Sequence, residues 1–208
     1  MKTMVALPCM DMVHTAFLNS LLKLQLDPTS VVSITQGTLI YDARNRLFER
    51  AMNENCDRIL FLDSDMVFDP DLLIRLNEDA EDREFVSGIY FKRKVPIAPV
   101  IYSSLEYEIK EDGLTYPKAE AMLDYPKDQI FEVAGAGFGG VLIKTDLIRR
   151  VYERFGPPFS PMIGFGEDLS FCKRVTAIGS KMWCDSRIKL GHVMQTIVDE
   201  NLYAAGRL

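Results

Sequence analysis

Arg58-Ile59-Leu60-Phe61-Leu62-Asp63-Ser64-Asp65 is the stretch whose reading decides the fold. A short, continuous apolar run of this kind marks a strand buried on both faces of a largely parallel sheet. It stops at two carboxylates set two positions apart, and in open parallel sheets ligands bind just beyond the carboxyl ends of the strands. If the chain stays extended there, period-2 geometry puts Asp63 and Asp65 on one side. Two such acids repel each other unless something positive lies between them. Mg²⁺ or Mn²⁺ carrying a diphosphate meets that need, because hard cations take oxygen ligands. A solvated strand-to-helix turn accounts for an isolated D-x-D as well.

Outward from this run, strand and helix patterns alternate, as expected of an α/β sheet with crossover helices. Upstream, Met4 to Leu7 reads as a strand, and Val13, Phe17, Leu21 and Leu24 recur at helical spacing. Val31 to Thr35 is a β-branched strand. Asp42 is placed to cap a helix with the buried stripe Ala43, Leu47, Phe48, Ala51 and Met52. Downstream, Asp69-Pro70 supplies a cap and a first-turn proline for the helix of Leu72, Leu73 and Leu76. Glu84 to Phe91 is a further strand.

Beyond residue 92 the pattern becomes irregular. Pro96 and Pro99 mark an edge, and Tyr107 to Tyr116 forms a hairpin around Asp112-Gly113. Glycines crowd at Gly135, Gly137, Gly139 and Gly140 before the strand Val141 to Ile143. Leu147, Ile148, Val151, Tyr152 and Phe155 share one helical face, and Leu169, Cys172 and Val175 another that ends near Gly179.

The 208 residues are 48% hydrophobic and 26% charged, which fits one folded domain with a sizeable core. A formal charge of −6 without a basic block speaks against nucleic-acid binding. An acidic chain that binds a phosphate ligand needs a cation to mediate the contact. Cys9, Cys56, Cys172 and Cys184 lack paired spacing, so reduced core thiols in a cytoplasmic protein are expected. No apolar run reaches the roughly 20 residues of a membrane helix, and Pro8 breaks the short apolar N-terminus.

Further candidates follow. In Gly164-Phe165-Gly166-Glu167-Asp168-Leu169, two glycines make a close-approach loop and two acids open a helix. The macrodipole alone favours acids there, by about 0.3–1 kcal/mol each; it does not account for the glycines. His192 follows Gly191 at a strand end, where it reads as a structural residue or as a ligand for a Mn²⁺-like ion. His14 reads as solvated or packed. Arg44-Asn45 stands at the ligand-binding edge, where Arg44 either reaches a diphosphate or nucleobase or pairs with Asp42. Lys92-Arg93-Lys94 is a short basic cluster that either attracts an acidic acceptor or is simply solvated, the second reading being favoured.

The order of these signals resembles GT-A fold glycosyltransferases, especially small bacterial and phage-type enzymes similar to the family-2 transferases. The series runs from a strand ending in Pro8 through Ala43-Arg44-Asn45, Leu60 to Asp65, Gly88 to Lys92 and Gly135 to Ile143. It closes with Gly166-Glu167-Asp168-Leu169 and Gly191-His192. The resemblance covers nearly the whole chain. It implies a GT-A-type mixed, mostly parallel sheet flanked by helices. Residues 1–92 would be the nucleotide-sugar-binding half and residues 93–208 the acceptor and catalytic half of a single domain. It further implies a UDP- or GDP-sugar donor, Mn²⁺ or Mg²⁺ held by Asp63, Asp65 and His192, and a glycan, protein or modified nucleic-acid acceptor. Asp168 would be the base, in an inverting reaction, with Glu167 an acceptor-side contact. Pro8, Arg44, Asn45, Asp63 and Gly166 would line the substrates.

One departure matters: Ser33-Ile34-Thr35-Gln36-Gly37 supplies no carboxylate to read a nucleobase. A metal held by Asp65 and His192 would stabilise the departing diphosphate as a Lewis acid, and the acceptor hydroxyl would need a carboxylate to take its proton. Three other readings stay open. A sugar-1-phosphate nucleotidyltransferase should carry a Gly-rich loop where Leu7-Pro8-Cys9-Met10 stands. A phosphohydrolase of the haloacid-dehalogenase type should carry its D-x-D on the first strand. A non-catalytic nucleotide- or carbohydrate-binding module should have lost the acids.

Overall fold

The structure, a computed structural model, describes residues 1–195. Along the chain come β1 (Thr3–Pro8), α1 (Thr15–Leu21), β2 (Val31–Thr35), α2 (Ile40–Asn53), β3 (Arg58–Leu62), β4 (Met66–Val67), α3 (Leu72–Asp79) and β5 (Phe85–Ile89). Then follow β6 (Ile101–Ile109), β7 (Thr115–Ala121), β8 (Ile130–Val133), β9 (Gly135–Ala136), β10 (Gly140–Lys144), α4 (Thr145–Phe155), α5 (Glu167–Ala177), β11 (Met182–Lys189) and β12 (Gly191–His192).

Among the described residues seven strands make the main sheet in the order β2-β1-β3-β10-β5-β11-β8. β2, β1, β3, β5 and β11 run one way, and β10 and β8 run against them. The expected mixed, mostly parallel sheet is therefore present. The seam near residue 92 divides the chain in order but not in space. β10, from the later half, lies between β3 and β5 of the earlier one.

β3 shows why its sequence is a continuous apolar run. Ile59 and Phe61 face the cluster under α2, α4 and α5, while Leu60 and Leu62 face the cluster under α1 and α3. Alternate side chains enter opposite faces of the sheet, so a strand covered on both sides is apolar at every step. Arg58, also buried, donates to the Asn77 and Ala80 carbonyls at 3.0 Å and so holds the end of α3. The first cluster is dense in rings: Phe159 stacks on Phe171 at 4.9 Å, and Phe61 meets Phe159 at 5.3 Å and Phe138 at 5.7 Å.

Several boundaries differ from the sequence reading. Leu39, not Asp42, is the N-cap of α2. Asp42 sits inside the first turn, where it accepts from Thr38 Oγ1 at 2.6 Å and pairs with Arg46 at 2.8 Å. Met52 leaves the buried stripe and is 37% exposed. α3 begins two residues after Pro70, because Asp69 closes a tight turn by accepting Leu72 N–H at 3.2 Å. α1 ends at Leu21, short of Leu24, and its cap is His14, whose Nδ1 accepts from Ala16 N at 3.2 Å. The hairpin at Asp112-Gly113 is present, longer than expected, and joins β6 to β7. All four cysteines are buried and unpaired. Among the described residues no helix is long and apolar enough to cross a membrane.

Candidate functional site

At the carboxyl end of β3 the chain turns, with Met66 N–H donating to the Asp63 carbonyl at 3.2 Å. The turn breaks the extended geometry that would have set Asp63 and Asp65 on one side. Their carboxylates accordingly find different partners.

Asp63 belongs to a cluster around Arg44. Arg44 is only 2% exposed. Its Nη2 donates to Asp63 Oδ1 at 2.7 Å and its Nε to Glu167 Oε1 at 3.0 Å. The guanidinium carbon lies 5.3 Å from the Phe61 ring centre and 5.1 Å from that of Phe138. Ring faces and two carboxylates together make this burial tolerable. Burial works against the charge of Arg44, and the two acids outweigh it. Nη1 is buried without a hydrogen-bond partner among the described residues. The sequence reading put Arg44 against a nucleotide or in a surface pair with Asp42. The structure instead makes it the tie between the end of β3 and the start of α5. Asn45 beside it is committed to the backbone, accepting from Phe159 N at 3.2 Å. Pro8 is buried at the end of β1, in register with Thr35 of β2.

Asp65 belongs to a second cluster. β12 pairs with β4 so that His192 stands opposite Met66, and Val193 N–H donates to the Asp65 carbonyl at 2.9 Å. His192 Nε2 then lies 3.5 Å from Asp65 Oδ2, and Arg93 Nη1 approaches the same oxygen at 2.5 Å. Burial pushes the Asp65 carboxyl up, but the hydrogen bond with His192 and the charges of His192 and Arg93 hold it below its ordinary value. The bond to Asp65 raises His192 in turn. Arg93, read from sequence as solvated, is thus part of the site.

Among the described residues no group of three or more His, Cys, Asp and Glu side chains stands in position to hold a metal ion. The expected set of Asp63, Asp65 and His192 resolves into the pair Asp65–His192, with Asp63 held by Arg44. The pair still fits a divalent ion. Such ions are commonly held by one or two protein groups plus substrate phosphates. His192 Nδ1 lies 2.9 Å from the Phe91 carbonyl, which can only accept, so Nδ1 carries hydrogen. In the neutral ring the lone pair is then on Nε2, facing Asp65, as a ligating imidazole requires.

Asp168 opens α5 next to Glu167. A Cβ on Gly166 would lie 2.9 Å from Asp168 Oδ1, so a larger residue there would make that carboxylate shift. Oδ1 accepts from Leu169 N at 2.7 Å. The macrodipole favours the ionised form of an acid at this position. Burial, with the charge of Glu167, instead lifts it to about 6. Between the two clusters stands Tyr90, which the sequence reading passed over. Its hydroxyl accepts from Gly139 N at 3.2 Å, and its ring meets that of His192 edge-on at 5.6 Å. A Cβ on Gly137 would fall 2.1 Å from that hydroxyl, which explains one glycine of the crowded run. That run was the available signal for a bulky side chain packed against bare backbone.

Solved structures share this backbone path. "A197 from STIV" superposes with a TM-score of 0.66 at 20% identity, over 94% of this chain and 87% of that one. The fold is of the GT-A type. GalNAc-T7, crystallised with UDP, GalNAc and Mn²⁺, superposes with a TM-score of 0.61 at 10% identity. That match covers 93% of this chain and 44% of GalNAc-T7. No protein-family model and no curated protein matches the sequence.

Proposed function

We propose that the chain is a glycosyltransferase that moves a sugar from a nucleotide-sugar donor to an acceptor hydroxyl, with inversion. The observation that carries this reading is the tie made by Arg44, which gathers the D-x-D end of β3 and the acidic start of α5 into one charge cluster. The GT-A fold, and Mn²⁺ and UDP bound to a neighbour that shares it, add support.

Asp65 and His192 would hold Mg²⁺ or Mn²⁺, which when bound supplies positive charge against the diphosphate leaving group. Arg93, already on Asp65, adds a second cation on that side. Asp63, fixed by Arg44, presents its remaining oxygen for a hydrogen bond from the donor, such as a ribose hydroxyl. Asp168 takes the proton of the acceptor hydroxyl. A carboxyl held at about 6 is largely ionised at neutral pH yet more basic than an ordinary aspartate, which suits a general base. Glu167, pinned to Arg44, orients the start of α5 and the acceptor side. A phosphohydrolase nucleophile is a poorer role for Asp63, because Arg44 holds that carboxylate at 2.7 Å.

The test is incubation of the full chain with Mn²⁺ and a panel of UDP- and GDP-sugars, read as nucleoside diphosphate released. Metal-dependent release from one donor supports the reading. Hydrolysis of a phosphate monoester without release from any sugar donor replaces it.

A further inference from the structure

A cavity of about 610 Å³ opens on the flank of the molecule, between β6 and the later turns of α5. It shares no lining residue with the Arg44 cluster or with the Asp65–His192 pair. Its volume lies within the range of small-molecule sites. Leu105, Phe155, Met162 and Ala177 give it an apolar body.

Two cations face this cavity, Lys173 and Arg174. Lys173 Nζ spends one donor on the Leu105 carbonyl at 2.7 Å, and Arg174 Nη1 spends one on the Pro158 carbonyl at 3.0 Å. Both contacts are with neutral carbonyls. Among the described residues neither cation has a carboxylate partner, although the chain carries 30 acids against 24 lysines and arginines. Burial without such a partner lowers Arg174 from its ordinary value. Lys173 Nζ also stands 5.2 Å from the Tyr107 ring centre and 5.8 Å from that of Phe165, and donors remain on both cations. Among the described residues Glu106, exposed on β6, is the one carboxylate lining the cavity.

We propose that this cavity is a second ligand site, for a small amphipathic molecule with one anionic group, carboxylate or phosphate. The anion lies between Lys173 and Arg174, and the apolar body lies against Leu105, Phe155 and Met162. The proposal does not depend on the glycosyltransferase reading. Glu106 sets a sign: it opposes the anion, so removing its charge should tighten binding.

The test uses the full chain and the fluorescence of bound anilinonaphthalene sulfonate, displaced by octanoate, octyl phosphate or neutral octyl glucoside. Octanoate or octyl phosphate should displace the dye at concentrations at least about tenfold below octyl glucoside, as expected of charged hydrogen bonds. Whichever acts at the lower concentration identifies the anion. Arg174→Gln should remove the preference, and Glu106→Gln should strengthen it. Ala177→Trp fills the cavity from an exposed helix position and should abolish binding with thermal unfolding unchanged. Equal displacement by anionic and neutral ligands would overturn the proposal. So would undiminished dye binding by an Ala177→Trp variant that melts like the parent.

Discussion

Replacing Asp168 by Asn separates a carboxylate kept for stability from one kept for chemistry. Burial and the neighbouring Glu167 raise this carboxyl from an ordinary 3.8 to about 6. One unit corresponds to about 1.4 kcal/mol between the two protonation states, so ionisation in the fold costs at most about 3 kcal/mol. The folded value lies above the unfolded one. The penalty is therefore absent below the unfolded value, grows between the two, and is complete above about 6. Asparagine is neutral throughout, and its amide oxygen can accept the Leu169 N–H as Asp168 Oδ1 does.

Asp168→Asn should then be more stable than the parent by about 1–3 kcal/mol at neutral to mildly basic pH. For a chain of this length that is a melting point about 2–12 °C higher. The gain should shrink toward zero as the pH falls to about 4. Turnover should move the other way and fall by about 10²–10⁴, with donor affinity little altered. Thermal unfolding followed by circular dichroism across a pH series reads the first effect, and diphosphate release reads the second. A variant that melts at or below the parent at mildly basic pH refutes the argument, as does an offset that does not change with pH. In either case Asp168 carries no burial penalty, and its role as base rests on the turnover result alone.

Arg44→Gln should destabilise the protein by about 3–5 kcal/mol in urea denaturation, because it strands two partly buried carboxylates; a change below about 1 kcal/mol would mean the cluster is loosely held. Asp65→Ala and His192→Ala should each weaken Mn²⁺-dependent nucleoside diphosphate binding by at least about tenfold in calorimetry. Both should leave the fold intact, and parent-like binding by both removes the metal pair. The kcat/KM profile should fall as pH drops through about 6, where Asp168 takes up a proton; a profile flat across that point places the base elsewhere. An α-linked donor should give a β-linked product, read from the anomeric coupling constant early in the reaction, and an α-product would exclude Asp168 as the base.

Much of the fold was legible because single residues carry two kinds of information at once. Ile59 to Leu62 are apolar and short in run, so they state both burial and strand. Asp112-Gly113 states a turn, and the register from Ile109↔Thr115 onward follows from it. Asp63, Asp65, Asp168 and His192 were legible as candidates because polar residues interrupt apolar patterns at element ends. What the sequence does not carry is which distant groups meet. An arginine in the first turns of a helix reads as a surface residue. Its burial depends on Phe138 and Glu167, 94 and 123 residues further on. Arg93 looked solvated because its partner Asp65 is brought to it by a two-residue ladder, β4 with β12, too short to leave a pattern. Strand direction is equally silent: Gly140–Lys144 is as apolar as a parallel strand, and only the tertiary path makes it antiparallel.

That strand also sets the order in which the molecule can assemble. Among the described residues β10 is what bridges β3 and β5 in the main sheet, pairing Leu142 with Leu60 on one side and Val86 on the other. Until residue 144 has left the ribosome, both of those strands have an open edge at what will become the centre of the sheet. Open apolar edges of this kind invite pairing with other chains, and closing them needs contacts between residues far apart in sequence, which slows folding. A fragment stopped at residue 92 would hold the D-x-D without α5 or β12, and an exposed sheet centre. It should aggregate during synthesis, whereas the chain carried through β10 can bridge β3 and β5.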